Sequence, residues 1–152
     1  MFRAPSPKAV GAAVLAAALG LAQSAAAQDS AAPSGDVLLE LNGLTDSEGD
    51  SCTLTFLTTN RLQQGLQRAA WQVAIFDADG AVKLLPVLDF GALIAGKTRV
   101  IPFVIPGGQC ASIGRIVVND VIECTAEGGG DLRTLCLANL TTQNRSSIEF
   151  GI

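Results

Sequence analysis

The stretch from Trp71 to Gly91, which reads WQVAIFDADGAVKLLPVLDFG, constrains the fold more than any other part of this chain. Two apolar runs flank the polar sequence Asp77-Ala78-Asp79-Gly80, and a glycine stands where a tight turn needs a positive φ. β-Branched and aromatic residues recur in both runs, so the pattern predicts a β-hairpin. Because Pro86 has no backbone N–H, the second arm is expected to lie at a sheet edge or to be irregular.

Other segments repeat this pattern of a short apolar run followed by a turn. Further strands are predicted at 37–41, 52–59, 98–105 and 113–121, with one or two more from 135–142 and 147–152. Residues 61–68 are predicted to form a loop or a single turn, and 127–132 a flexible tip. Each sheet would have one apolar face to cover. The sequence therefore predicts an all-β, immunoglobulin-like antiparallel β-sandwich of seven to eight strands.

The N-terminal 27 residues have the features of a signal peptide. Arg3 and Lys8 precede an apolar run of about 13 residues, and Ala25-Ala26-Ala27 is an A-x-A cleavage site. The run is shorter than the roughly 20 residues that span a bilayer as a helix. Residues 28–35 are small, polar and proline-containing, so we expect a disordered leader followed by the sandwich domain at 36–152.

The net charge of the chain argues against two classes of binding partner. The formal net charge is −4, and loss of Arg3 and Lys8 with the signal peptide would make it −6. An acidic chain without a basic run argues against binding to nucleic acid or to anionic membranes. We therefore expect a periplasmic or secreted protein with no membrane span after cleavage, and no cofactor.

Four cysteines, Cys52, Cys110, Cys124 and Cys136, predict two disulfides in an exported chain. If consecutive strands alternate in direction, the first two cysteines lie at one end of the sandwich and the last two at the other. A seven-residue strand spans roughly 23 Å, whereas bridged Cα atoms lie about 4.4–6.8 Å apart. We therefore predict the pairs Cys52–Cys110 and Cys124–Cys136. A zinc site is disfavoured because the chain has no C-x-x-C and no histidine.

The first pair resembles the inter-sheet bridge of immunoglobulin-like sandwiches, although the absence of tyrosine removes their tyrosine corner. Residues 52–121 resemble a group of small exported bacterial proteins of unknown function, often labelled only by a presumed twin-arginine signal. The matching segments are CTLTF, FDADG, LDFG and IGRIVVNDV. Arg3 stands alone, which departs from that label. The resemblance implies an exported sandwich and supplies no catalytic residues.

Asp46, Glu48 and Asp50 alternate like the first three ligands of a calcium-binding loop. An EF-hand needs glycine at position six and glutamate at position twelve, where this chain has Ser51 and Leu57. We interpret the segment as a solvated acidic turn, with an irregular calcium site as the alternative.

Other polar residues also have structural interpretations. Asp77 and Asp79 are expected to serve the hairpin turn, and a glycosidase-like carboxylate pair is the alternative. Asn119-Asp120 is interpreted as a polar strand end. Arg99 and Arg115 are expected to project outward beside acidic residues. Without histidine, catalytic triads and imidazole acid–base chemistry are excluded.

These observations predict a non-enzymatic binding or structural module whose partner is another protein or a cell-envelope component. Edge strands near Pro86 and Pro102 would offer a place for strand addition. One alternative is an inhibitor of an extracellular hydrolase that presents residues 127–132. Another is a carboxylate-dependent enzyme acting on glycans. The sequence leaves the partner's identity and the oligomeric state open.

Overall fold

A computed structural model describes residues 35–152. The predicted signal peptide and all of the predicted leader except Gly35 lie outside this range. The described elements are β1 (Val37–Ser47), β2 (Ser51–Asn60), β3 (Leu66–Phe76), β4 (Val82–Leu84), β5 (Val87–Leu93), β6 (Thr98–Pro106), a 3-10 turn (Cys110–Ser112), β7 (Arg115–Ala126), α1 (Arg133–Ala138), β8 (Leu140–Asn144) and β9 (Glu149–Gly151).

The strands form two sheets, which confirms the prediction of an all-β sandwich. The four-stranded sheet has the order β6-β2-β1-β8, and the five-stranded sheet has the order β4-β3-β7-β9 with β5 also paired to β3. Two pairings, β1 with β8 and β7 with β9, are parallel. The nine strands of residues 35–152 therefore exceed the predicted number and are not purely antiparallel, and the immunoglobulin-like assignment stays a prediction.

The core lies between the inner faces of the two sheets. Along β2 the side chains of Cys52, Leu54 and Phe56 are fully buried, whereas the alternate residues are only half-buried. Aromatic rings from both sheets meet in the centre: the Phe56 ring lies 5.3 Å from that of Phe150, and Trp71 lies 5.4 Å from Phe90. Because each large apolar side chain contributes about 1.5–3 kcal/mol when buried, this layer supplies most of the force that holds the sheets together.

The predicted hairpin is confirmed. Strand β3 forms its first arm, and Gly80 has the expected positive φ of 85°. Pro86 divides the second arm into β4 and β5, while its carbonyl still accepts the N–H of Val73 at 3.0 Å. The second arm is therefore irregular at the proline, as its missing donor predicts.

Other boundaries differ from the predictions. Strand β1 continues to Ser47 through a bulge between Leu41 and Gly43, beyond the predicted strand at 37–41. Strand β3 begins at Leu66, inside the predicted loop at 61–68. Strand β7 lies between β3 and β9, and it runs on to Ala126, beyond the predicted strand at 113–121.

The C-terminal part contains a helix where a strand was expected. Residues 133–138 (RTLCLA) form α1, and β8 begins only at Leu140. Arginine, leucine and alanine favour helix, and the N–H of Cys136 donates to the Leu132 carbonyl at 2.8 Å. The prediction of a strand from residue 135 was therefore wrong.

The two disulfides join the predicted pairs. Cys52 is bonded to Cys110 and Cys124 to Cys136, with Cα separations of 4.8 Å and 6.4 Å. The details differ, because Cys124 lies within β7 and Cys136 lies in α1. The first bridge ties β2 to the 3-10 turn between β6 and β7 and not to a strand of the facing sheet.

Both bridges indicate an oxidising compartment. None of the helices within residues 35–152 is long and apolar enough to cross a bilayer.

Candidate binding surface

The outer face of the four-stranded sheet carries an uncharged surface on β2 and β6, which we call the neutral face. It consists of Thr53, Thr55 and Leu57 on β2 with Val100, Pro102 and Val104 on β6. Val100 and Val104 are 60% and 63% exposed. Isolated exposed valines are common on protein surfaces, but here they share one sheet face with uncharged neighbours.

Strand register places these side chains opposite one another. Thr53 faces Val104, Thr55 faces Pro102, and Leu57 faces Val100 across the β2–β6 pair. The residues between them, such as Phe56 and Ile105, point into the core. The period of two that buries one face of the sheet therefore also assembles the neutral face on the other.

Among the strands of residues 35–152, β6 lies at one edge of its sheet, as Pro102 predicts. The N–H of Asn60 donates to the Lys97 carbonyl at 3.2 Å, which makes this a hydrogen-bonded pair of the ladder. Antiparallel pairs alternate, so Arg99, Ile101, Phe103 and Ile105 turn their backbone groups toward β2. Thr98, Val100, Pro102, Val104 and Pro106 turn theirs to solvent. Both prolines thus occupy outward positions.

This arrangement limits what can pair with β6. A partner strand would meet the ring of Pro102 where a ladder needs an N–H donor. Prolines at such positions prevent continuous edge-to-edge pairing. The side-chain face of β6 is therefore more accessible to a partner than its backbone edge.

The outer face of the five-stranded sheet, which we call the charged face, is different. Arg68 donates to Asp89 at 2.6 Å and lies 3.3 Å from Glu123. The hydrogen bond from Arg68 lowers the pKa of Asp89 below its ordinary value of 3.8. Asn119 donates to Gln72 at 2.7 Å. These polar groups satisfy one another across three strands.

The proposed calcium ligands lie in the β1–β2 turn but do not form a site. The Asp46 carboxylate accepts the N–H of Cys110 at 2.7 Å, and the Glu48 carbonyl accepts the Ser51 hydroxyl at 2.6 Å. Asp50 adopts a left-handed φ of 55° in the turn. Nowhere in residues 35–152 do three acidic or cysteine side chains converge as ligands of one ion. The Asp46 carboxylate and the Glu48 backbone carbonyl therefore serve the turn.

Asp77 has the turn role that was predicted for it. Its Oδ1 accepts the backbone N–H groups of Asp79 at 3.0 Å and Ala81 at 2.8 Å. Asp79 is exposed beyond it. The Asp77 carboxylate therefore serves the hairpin turn, as predicted.

Three other interpretations need correction. Asn119-Asp120 lies within β7 and not at its end: Gln72 pairs with Asp120 while Val73 pairs with Val118, so Asn119 is the extra residue of a bulge. Arg99 donates to the Phe90 and Ala92 carbonyls at 2.8 and 3.1 Å. Arg115 lies 4.3 Å over the ring of Phe76. Within residues 35–152 neither arginine pairs with a carboxylate, because backbone carbonyls contact Arg99 and an aromatic ring contacts Arg115.

The loop at 127–132 is tied down by its backbone. The N–H of Glu127 donates to the Gly65 carbonyl, and the N–H of Leu132 donates to the Cys124 carbonyl. Gly128, Gly129 and Gly130 all have positive φ values, which only glycine adopts readily. The loop presents three residues without side chains, a poor match to a substrate-like inhibitor segment.

The clefts in the described residues give little support to the glycan-active alternative. A cleft of 440 Å³ near Gly65 has the single carboxylate of Glu127. A cleft of 270 Å³ contains Asp120 and Asp131, but hydrogen bonds from Arg133 lower the pKa of Asp131 to about 2. Asp131 is therefore ionised at neutral pH and is unsuited to act as a general acid.

The sequence analysis missed the neutral face. Its signal was the alternation of threonine in CTLTFLTT and of valine in TRVIPFVI. Only the register of β2 against β6 shows that these residues lie together. No protein-family model, curated protein or solved structure matches this chain.

Proposed function

We propose that the chain is a non-enzymatic binding module of the periplasm or cell exterior, and that it holds another protein against its neutral face. The observation that carries the proposal is the exposed pair Val100 and Val104 on an uncharged sheet face beside a free edge. The predicted signal peptide and the two disulfides support the location.

The composition of the neutral face suits a protein partner. Full burial of an exposed valine contributes up to about 1.5 kcal/mol. Threonine hydroxyls beside the valines can donate and accept hydrogen bonds. None of the six residues of the neutral face is charged, and on the neighbouring β1 Glu40, which lies opposite Leu57, is paired with Arg145 at 2.9 Å. Covering the neutral face therefore carries no penalty for burying an unpaired ion.

The partner is expected to contact side chains, because Pro102 interrupts the edge that strand addition would use. This refines the expectation from sequence that strands add near Pro86 and Pro102. At Pro86 the carbonyl is already taken by Val73.

A binding role also agrees with the state of the polar residues. Asp46 and Asp77 hold backbone N–H groups, and Arg68 holds two carboxylates. The chain has no histidine. The resemblance to small exported bacterial proteins carries no catalytic residues, in keeping with this role.

The test uses three oxidised baits that differ by one exposed valine: wild type, Val104→Lys on the neutral face and Val87→Lys on β5 of the other sheet. Val87 is 48% exposed, so it is a matched control. Each bait is incubated with periplasmic extract, and captured proteins are quantified by mass spectrometry.

A protein retained by wild type and Val87→Lys but reduced at least tenfold with Val104→Lys supports the proposal. Capture that is the same for all three baits contradicts it. A purified captured protein should also protect the amides of β2 and β6 from hydrogen exchange.

A further inference from the structure

We infer that a cleft around the connection from β5 to β6 binds a single-chain fatty acid, with the carboxylate of the ligand held by Lys97 and Arg99. The inference is carried by two cations that line one apolar cleft and have no carboxylate partner within residues 35–152. The cleft is separate from the neutral face, so the inference does not depend on the proposed function.

The cleft has the size and composition of a small-molecule site. Its volume is 330 Å³, and its lining consists of three apolar residues followed in the sequence by three polar ones: Ala92, Leu93, Ile94, Lys97, Thr98 and Arg99. The Ile94 side chain is 60% exposed, so its apolar surface is open to a ligand. Sites of about 300–1,000 Å³ that combine apolar surface with a few polar groups are typical of small ligands.

Strand alternation places the two cations away from the neutral face. The exposed valines of β6 point to the outer face of their sheet, so Lys97 and Arg99 lie on the opposite side, toward the five-stranded sheet. Arg99 reaches that sheet, because its Nη1 donates to the carbonyls of Phe90 and Ala92 on β5 at 2.8 and 3.1 Å. These two carbonyls hold the guanidinium at the cleft, which lowers the cost of ordering it around a ligand.

The rest of the Arg99 guanidinium is available to an anion. Its Nε and Nη2 atoms donate to no residue within 35–152. The edge formed by these two atoms can bind a carboxylate through two parallel N–H···O bonds. Lys97 is exposed and has no salt bridge in the described part of the chain. The cleft therefore offers two positive charges and a bidentate donor to one carboxylate.

The other six cations of residues 35–152 are engaged elsewhere. Four form salt bridges, one donates to a hydroxyl and one lies over an aromatic ring: Arg61, Arg68, Arg133, Arg145, Lys83 and Arg115. The chain as a whole is acidic, with a formal net charge of −4. Two neighbouring cations without a carboxylate in such a chain indicate a place for an anion from outside.

The second cleft, of 440 Å³, sets the direction of the ligand. It shares residues 92–94 with the first cleft and adds the apolar side chain of Leu66. An alkyl chain that starts at the two cations can therefore continue along Ile94. The Glu127 carboxylate lines the second cleft and repels an anionic head group there. The carboxylate of the fatty acid is thus expected at Lys97 and its tail toward Leu66.

The test is an NMR titration of the isotope-labelled chain, expressed from its full sequence and purified with both disulfides intact. The ligands are hexanoate, octanoate and decanoate, with acetate as the head-group control and octylammonium as the control of opposite charge. Octanoate should shift the amides of residues 92–99 with a dissociation constant on the order of 1 mM. Affinity should rise about two- to fourfold for each added methylene that is buried.

Two matched lysine variants test the head-group site. Lys97→Gln should weaken octanoate binding at least fivefold, because it removes one of the two charges. Lys83→Gln, the control at a lysine that donates to Ser112 outside the cleft, should leave the binding unchanged. Ile94→Ser should reduce the gain in affinity from octanoate to decanoate, because it removes apolar surface under the tail.

Four results would overturn the inference: no saturable shifts up to about 20 mM octanoate, equal affinities for acetate and octanoate, binding of octylammonium as tight as that of octanoate, or wild-type affinity in Lys97→Gln. Val104→Lys changes the neutral face on the other side of β6 and should leave octanoate binding unchanged. A failure of the fatty-acid site and a failure of the proposed protein-binding face are therefore measured separately.

Discussion

The two sheets of this sandwich have the same plan but opposite outer surfaces. Each is anchored by one disulfide, and each gains a late strand in parallel, β8 beside β1 and β9 beside β7. On the charged face, Arg68 joins two carboxylates from neighbouring strands. On the neutral face, Val100 and Val104 point into solvent without partners.

The difference shows which surface is suited to being covered. Covering the charged face would remove water from ions that already satisfy one another, which costs free energy without creating new bonds. Covering the neutral face removes apolar surface from water and leaves no ion unpaired. Around Arg68 the charged face is therefore satisfied by its own side chains, whereas the neutral face gains from contact.

The largest expected effects are the losses of stability when either disulfide is removed, and the two losses should differ. Replacing Cys52 and Cys110 by alanine opens a 58-residue separation and should lower the free energy of unfolding by about 4 kcal/mol. Replacing Cys124 and Cys136 opens a 12-residue separation and should cost about 3 kcal/mol. Urea denaturation of both variants measures the difference. Equal losses, or a larger loss in the second variant, would show that loop length does not set the contribution.

The next prediction compares the two faces of β2. Leu54 points into the core and Leu57 onto the neutral face. Leu54→Ala should lower the free energy of unfolding by about 3 kcal/mol, because it leaves a cavity. Leu57→Ala, at a half-buried site, should cost about 1 kcal/mol or less. Similar losses measured by urea denaturation would mean that the neutral face is part of the core.

A smaller effect is expected on the charged face. Arg68→Ala removes both ion pairs of an exposed side chain, so its loss of stability should be smaller than that of Leu54→Ala. The loss should shrink further in 1 M salt, which screens such pairs. Val104→Ala, the control on the neutral face, should change stability by less than about 0.5 kcal/mol and show no dependence on salt. A salt-independent loss for Arg68→Ala would point to packing as its cause.

The smallest effect is a pH dependence of the pair between Arg68 and Asp89 on the charged face. Because the folded-state pKa of Asp89 lies below 3.8, its pair with Arg68 stabilises fully above that value and is lost as the pH falls through the folded pKa. Carboxyl-detected NMR titration should show the low pKa in wild type and its return toward 3.8 in Arg68→Ala. An unchanged pKa in the variant would exclude Arg68 as the cause.

The parts of the fold that depend on local chemistry could be predicted from sequence. Asp77 and Gly80 define a turn by themselves, and Pro86 and Pro102 mark irregular or edge positions because proline lacks a donor. Disulfide pairing followed from the alternation of strand direction, a constraint of chain geometry that holds for β2 and β6.

The parts of the fold that depend on contacts between residues distant in sequence could not be predicted. Helix α1 spans only Arg133–Ala138, too short for a periodic signal, and β8 and β9 take parallel partners far away in sequence. The neutral face was missed for the same reason: β3, β4 and β5 lie between Thr55 and Pro102 in the sequence, and only the register of β2 against β6 makes these two residues neighbours.

The prolines at positions 102 and 106 have one more consequence. An open sheet in a crowded compartment is a template on which further chains can add strand by strand and grow into fibrils. Here two of the five outward backbone positions of β6 offer a carbonyl but no donor, so such growth stops at its first step. The chain can therefore expose the neutral face without polymerising through the edge of β6.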